Sequence, residues 1–161
     1  MRKIRDLAQD PAYWLNYATF LMTTLNRPDS ARALLQRATQ ALPPHEHRPV
    51  ISRFGALEFQ SPNGDAERGR TIYEGLVETY KNRPDVWDAY VALEMGSHGD
   101  KEKARALFER LGKEKMKPRR ARNVFKRWVE FEQGLGEVKK IDDAVARRDE
   151  YFKIHGVKDV E

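Results

Sequence analysis

Three glutamates hold matched places in this sequence: Glu58, Glu94 and Glu132 each follow an apolar anchor, Ile51, Trp87 or Phe125, by seven residues. Carboxylates fixed on one helix face are the groups that general acid–base chemistry uses. Their recurrence at one register favours a structural role. A buried charge without a partner is strongly destabilising, so carboxylates on the anchor face require fixed cations. Arg70, Arg105 and, in a degenerate last copy, Arg147 follow at the matching places. The sequence therefore predicts ion pairs within each unit, Glu58 with Arg70, Glu94 with Arg105 and Glu132 with Arg147. Leu21 takes the same place in the first copy, so the position does not demand a carboxylate.

Other chemistries find no constellation. His45-Glu46-His47 places two imidazoles two residues apart, where they do not converge on a helix, and the His-Glu-x-x-His spacing of zinc hydrolases is absent. His98 before Gly99 reads as a turn residue, and His155 before Gly156 as a cation at a helix C-terminus. Ser30, Ser52, Ser61 and Ser97 lack a paired histidine and acid in any known order, and Gly64-Asp65 and Gly134-Leu135-Gly136 form no phosphate-cradling loop. Cysteine is absent, which removes disulfides, thiolate metal sites and thiol nucleophiles together. The expectation is a chain with no catalytic residues, no metal, no cofactor and no small-molecule substrate.

One feature points to a ligand. Lys113, Lys115, Lys117, Arg119, Arg120, Arg122, Lys126 and Arg127 share fifteen residues with a single acid, Glu114, a local net of +7 in a chain whose whole net is +5. The rest of the chain is thus slightly acidic. With a helix beginning at Pro118, Arg119, Arg122 and Lys126 fall on one stripe and Arg120 and Arg127 on its neighbour, while Phe125 and Trp128 turn inward. The three lysines sit just ahead, at the positive end of the helix dipole. Such a surface attracts RNA phosphates or an acidic protein segment. No aromatic platform for stacking bases accompanies it, so the expected contact is with backbone rather than sequence.

The elements that carry these residues follow from an internal repeat. The anchors Trp14, Ile51, Trp87 and Phe125 recur at intervals of 37, 36 and 38 residues. Behind them come Ala31-Arg32-Ala33-Leu34-Leu35, Gly69-Arg70-Thr71-Ile72-Tyr73 and Ala104-Arg105-Ala106-Leu107-Phe108. Apolar residues at spacings of three, four and seven line one helical face, so each repeat is a pair of antiparallel helices. Asp10 precedes a proline, and Asp29, Asp65 and Asp100 stand where second helices begin. Asn26-Arg27-Pro28, Pro43-Pro44, Ser61-Pro62-Asn63-Gly64, Arg83-Pro84 and His98-Gly99 separate the helices by only a few residues. The fold expected is all-α, an α-solenoid of about four antiparallel helix hairpins. Its repeats cover 10–44, 45–82, 83–116 and 117–156, after a leading remnant of a helix or linker, 1–9, and before a tail, 157–161. Its core is expected to hold Trp14, Tyr17, Leu34, Leu35, Phe54, Leu57, Ile72, Tyr73, Trp87, Tyr90, Leu107, Phe108, Phe125 and Trp128.

The pattern Trp87-x-x-Tyr90-x-x-x-Glu94 followed by Ala104-Arg105-Ala106-Leu107-Phe108-Glu109-Arg110 resembles the half-a-tetratricopeptide (HAT) repeat, over residues 11 to about 152. The run from Lys117 to Glu132, with Leu35-Gln36-Arg37-Ala38 and Pro84-Asp85-Val86-Trp87, is similar to the C-terminal end of a family of ribosomal-RNA-processing factors that carry S1 domains ahead of their HAT repeats. That resemblance implies a non-catalytic interaction scaffold in pre-ribosomal RNA processing. Its partners would be ribosome-assembly proteins of the small-subunit pathway, with pre-rRNA backbone as a secondary contact, in the nucleus and nucleolus. A direct RNA-binding module, or a HAT segment of a splicing or polyadenylation factor, is the alternative. This chain shows no S1-like strand pattern, so it corresponds to the helical end alone. The longest charge-free stretch, 11–26, is shorter than the roughly 20 apolar residues a membrane span needs. Asp6 and Asp10 also interrupt any secretory signal. No membrane contact is expected.

Overall fold

Proline opens five of the helices, and a fixed φ with no N–H to satisfy suits the first helical position. In the computed structural model residues 7–159 are described. Residues 1–6 of the predicted leading segment and 160–161 of the predicted tail lie outside them. Among the described residues the complete helices are α1 (Pro11–Thr19), α2 (Pro28–Ala41), α3 (Pro44–Gln60), α4 (Ala66–Thr79), α5 (Pro84–Met95), α6 (Lys101–Leu111), α7 (Pro118–Leu135) and α8 (Val138–His155). Leu7 and Ala8 are also helical. No strand occurs among the described residues, and the fold is an all-α helical repeat.

The caps follow the sequence signals. Asp10, Asp65 and Asp100 each accept a backbone N–H of the following helix, from Ala12, Glu67 and Glu102 respectively. Asp29 instead lies inside the first turn of α2, which Arg27 precedes without a side-chain cap. A π-helical turn, Phe20–Thr24, prolongs α1 and buries the adjacent residues Leu21 and Met22 together.

The chain divides into two compact units between Gly99 and Asp100. The first holds α1 to α5. Trp14, Ala18, Leu34 and Phe54 form its early core, and Tyr73, Leu76, Val86 and Tyr90 its later one. Here α3 and α4 cross closely enough to need glycine on both sides. A Cβ at Gly69 would stand 2.7 Å from the Phe59 ring, and one at Gly55 would stand 2.8 Å from the Tyr73 ring. The second unit holds α6 to α8 around Leu107, Phe108, Phe125, Trp128, Tyr151 and Phe152.

One predicted core residue is misplaced. Tyr17 is 40 % exposed, whereas Phe54, Tyr90 and Trp128 at the same register are buried. Those three stand on helices that have a preceding helix against them, and α1 is the first of its kind among the complete helices. Leu35, Leu57, Ile72 and Trp87 are half-buried rather than central.

Candidate interaction surface

The repeated glutamates and arginines are ion-paired, but one hairpin earlier than their spacing predicts. Arg32 donates from Nε and Nη2 to both carboxylate oxygens of Glu58 at 2.9 and 3.0 Å. Arg70 does the same to Glu94 at 2.8 and 2.9 Å, and Arg105 to Glu132 at 2.7 and 2.8 Å. Each pair joins the second helix of one hairpin to the first helix of the next. The expected partnerships of Glu58 with Arg70, Glu94 with Arg105 and Glu132 with Arg147 are therefore corrected. Within α4, the Arg70 guanidinium lies over the Phe59 ring at 5.5 Å and points onward to α5. Arg147 lies over the Trp128 ring at 5.7 Å, and Glu132 is already held by Arg105.

Each arginine also reaches an acid three residues earlier in its own helix, Asp29, Glu67 or Glu102. The glutamates are 4 %, 0 % and 1 % exposed, so fork-to-fork pairing supplies what solvent would otherwise give. The hydrogen bonds that Arg32, Arg70 and Arg105 donate to Glu58, Glu94 and Glu132 respectively raise their pKa above the ordinary guanidinium value. These cations hold their protons across any physiological pH. Their work is to staple neighbouring helices.

The basic residues gather on the second unit. Lys113, Lys115 and Lys117 are exposed on the loop between α6 and α7. That loop is fastened from below: the buried Tyr151 hydroxyl accepts the Met116 N–H at 2.8 Å and donates to the Glu114 carbonyl at 2.9 Å. The lysines are thus presented by an anchored backbone. The first turn of α7 contains no acid, and its N-terminal N–H groups receive no side-chain cap from Lys117. Positive side chains and the helix dipole therefore add at the same end.

Along α7, Arg119 and Lys126 are exposed, and Arg120, Arg122 and Arg127 are half-buried. The predicted stripe is consequently interrupted at its middle. Arg122 donates from Nη1 to the Lys158 carbonyl at 3.2 Å and ties α7 to the chain beyond α8. Phe125 and Trp128 turn inward and are buried, so they offer no face to a base. The exposed members of the predicted segment are thus Lys113, Lys115, Lys117, Arg119 and Lys126.

His47 Nε2 lies 2.8 Å from the Leu42 carbonyl, His155 packs on Tyr151 with ring centroids 4.1 Å apart, and His45 Nε2 lies 3.4 Å from a Glu46 carboxylate oxygen. Among the described residues no three metal-ligating side chains converge, and no helix is long and apolar enough to cross a membrane. Sequence reasoning missed one surface, the exposed aromatic face of α1 formed by Tyr13, Tyr17 and Phe20. Its signal was the four-and-three spacing of those rings, which reads equally as a buried stripe.

No protein-family model matches the chain. It is 37 % identical over 148 residues to "rRNA biogenesis protein rrp5" of Schizosaccharomyces pombe, covering 92 % of this chain and 8 % of that protein. It is 34 % identical over 152 residues to "Protein RRP5 homolog" of Mus musculus, covering 94 % and 8 %. With the Homo sapiens protein of the same name it shares 38 % identity over 131 residues, 81 % of this chain and 7 % of that one. The chain thus spans less than a tenth of the length of the curated relatives it matches. Over nearly all of its own length, this helical repeat is similar to a segment of the RRP5 rRNA biogenesis proteins of eukaryotes.

Proposed function

We propose that this segment is a non-catalytic scaffold in ribosomal RNA biogenesis. It docks assembly proteins of the small-subunit pathway and makes a secondary contact with RNA backbone through the basic surface of Lys113, Lys115, Lys117, Arg119 and Lys126. The observation that carries the reading is that surface: five exposed cations on a backbone fixed by Tyr151, in a sequence similar to RRP5 along most of its length. Helix hairpins of the HAT kind suit a scaffold, because in repeat proteins each repeat contacts only its neighbours and keeps outer helix faces for partners. The names of the relatives favour ribosomal RNA over splicing or polyadenylation. Nuclear and nucleolar residence follows from that work.

Affinity purification of the tagged full-length protein from cells tests the reading. Recovery of small-subunit assembly proteins and pre-rRNA, with loss of a defined subset when Lys115, Arg119 and Lys126 are reversed to glutamate, is the expected result. Recovery of splicing or polyadenylation proteins instead would overturn it.

A further inference from the structure

At two of the stapled helix junctions one aromatic ring stacks on another. Tyr73 of α4 lies on Tyr90 of α5 with centroids 5.2 Å apart, and Phe108 of α6 lies on Trp128 of α7 at 5.9 Å. Tyr73 and Phe108 each follow a stapling arginine, Arg70 or Arg105, by three residues. Three residues after Arg32, where α2 meets α3, the chain has Leu35 instead, and Phe54 stands at the register of Tyr90 and Trp128. Leu35 and Phe54 both line a cavity of about 370 Å³, together with Met22 of the π-helical turn, Leu57 of α3, and Arg68 and Ile72 of α4. Protein interiors leave few voids larger than a water molecule, and an apolar cavity of about 150 Å³ already holds a benzene ring. The register residue that would supply a ring is missing here, and room for a ring remains.

The walls and mouth of the cavity carry three further features. Leu35, Leu57 and Ile72, which the sequence places in the core, are only half-buried, and all three are walls of this cavity. Along α4, Arg68, Thr71, Ile72 and Gly75 share one helix face. The first three line the cavity, and a Cβ at Gly75 would meet nothing within 4 Å. No contact within the described chain calls for glycine there, although glycine inside a helix is destabilising relative to alanine. Its effect is to leave the helix backbone bare beside the mouth, where a second chain can pass close. The mouth is also positive. Glu58 accepts from Arg32 with both carboxylate oxygens, whereas the Arg68 side chain is 59 % exposed and comes no nearer than 3.9 Å to Asp65.

We infer that this cavity seats an aromatic side chain of a partner protein, on a segment that passes over Gly75 and carries a carboxylate beside the ring to meet Arg68. A ring inserted from outside would take the place that Tyr73 and Phe108 fill from within at the other two junctions. A buried aromatic anchor of this kind supplies a large share of the energy of a protein interface. A nucleobase suits the cavity less well. Its edge carries donors and acceptors that need partners, but Met22, Leu35, Leu57 and Ile72 offer none from their side chains, and Glu58 is already bonded to Arg32 and to the Asp65 N–H. The site lies within the first unit and uses none of the cations of the basic segment.

Selection of a phage-displayed library of random short peptides on the 161-residue chain tests the proposal, with the enriched peptides synthesised and their binding measured by fluorescence anisotropy. Enrichment of an aromatic residue with an acidic neighbour is the expected result. Leu35→Phe supplies the ring from within, so it should weaken that binding by about tenfold or more and raise the melting midpoint of the chain. Gly75→Leu alters only an open helix face, and it should weaken binding to a similar degree without loss of helicity. Arg68→Gln should lower the affinity and flatten its salt dependence. Reversal of Lys115, Arg119 and Lys126 to glutamate should leave the binding unchanged, which separates this site from the basic surface. Failure to enrich any peptide, enrichment without an aromatic residue, binding that neither Leu35→Phe nor Gly75→Leu weakens, or displacement of the peptide by polyuridylate would each overturn the assignment. So would loss of binding on the triple reversal, since the peptide would then sit on the basic surface.

Discussion

Glu132 is 1 % exposed, and replacing it by glutamine removes the charge that balances the Arg105 guanidinium and sets an amide NH2 against one of the two donors of the fork. Breaking a buried pair in this way costs about 3–5 kcal/mol. Arg105→Met should cost a similar amount by stranding the carboxylate, with Glu102, on the surface, contributing little to the difference. The double variant buries neither charge. Its loss should therefore fall short of the sum of the single losses by about 2–3 kcal/mol, the upper part of the range for contacting residues. The parallel cycle of Glu132→Gln with Arg147→Met should be additive within about 0.5 kcal/mol, because Arg147 sits on Trp128 and does not share the carboxylate. Urea unfolding followed by circular dichroism at constant slope measures all five losses, three single and two double. Additivity in the first cycle combined with coupling in the second would refute the stapling of consecutive hairpins and restore the pairing within one hairpin.

Two further outcomes follow from the packing. Tyr151→Phe removes the hydroxyl that holds both Met116 N–H and the Glu114 carbonyl; it should cost about 1–3 kcal/mol and speed hydrogen exchange at the Met116 amide while α7 stays protected. Burial pushes the Tyr73 phenol above its usual value, so the folded state keeps its proton where the unfolded chain loses it; stability is complete below about pH 10 and falls as pH rises beyond it. Denaturation midpoints measured between pH 8.5 and pH 11 should show this decline, and Tyr73→Phe should flatten it.

Much of this architecture is legible in the residues. Periodic apolar anchors, proline at first helical positions and aspartates at Asp65 and Asp100 set the helices, because these signals act within a few residues of where they stand. Trp14, Phe108, Phe125 and Trp128 are core in sequence and in structure alike. Partner choice is less legible. Glu58 is close in sequence to Arg70 and farther from Arg32, and both arginines begin second helices; only the onward direction of Arg70 past the Gly55–Gly69 crossing decides between them. Tyr17 has the right register and the wrong exposure, since among the described residues α1 has no preceding complete helix to pack against it, as α3, α5 and α7 have. Arg122 reads as one member of an exposed stripe, yet its guanidinium binds a carbonyl that lies 36 residues away in sequence. Composition located the basic surface, and long-range contact determined which of its charges are accessible.

The central claim is that the exposed cations of the α6–α7 loop and α7 provide the attraction for RNA backbone and acidic partners. Reversing Lys115, Arg119 and Lys126 to glutamate takes the local net from +7 to about +1 without touching Arg122 or the buried pairs. Fluorescence anisotropy of a labelled single-stranded RNA, titrated between 50 and 200 mM salt, reads both affinity and salt slope. Each phosphate contact contributes about 0.7 to the slope on a single strand, so losing three should flatten it by about 2, with weaker binding at every salt concentration and unchanged helicity. Affinity and slope unaltered by the reversal, together with undiminished binding to purified small-subunit assembly proteins, would contradict the account.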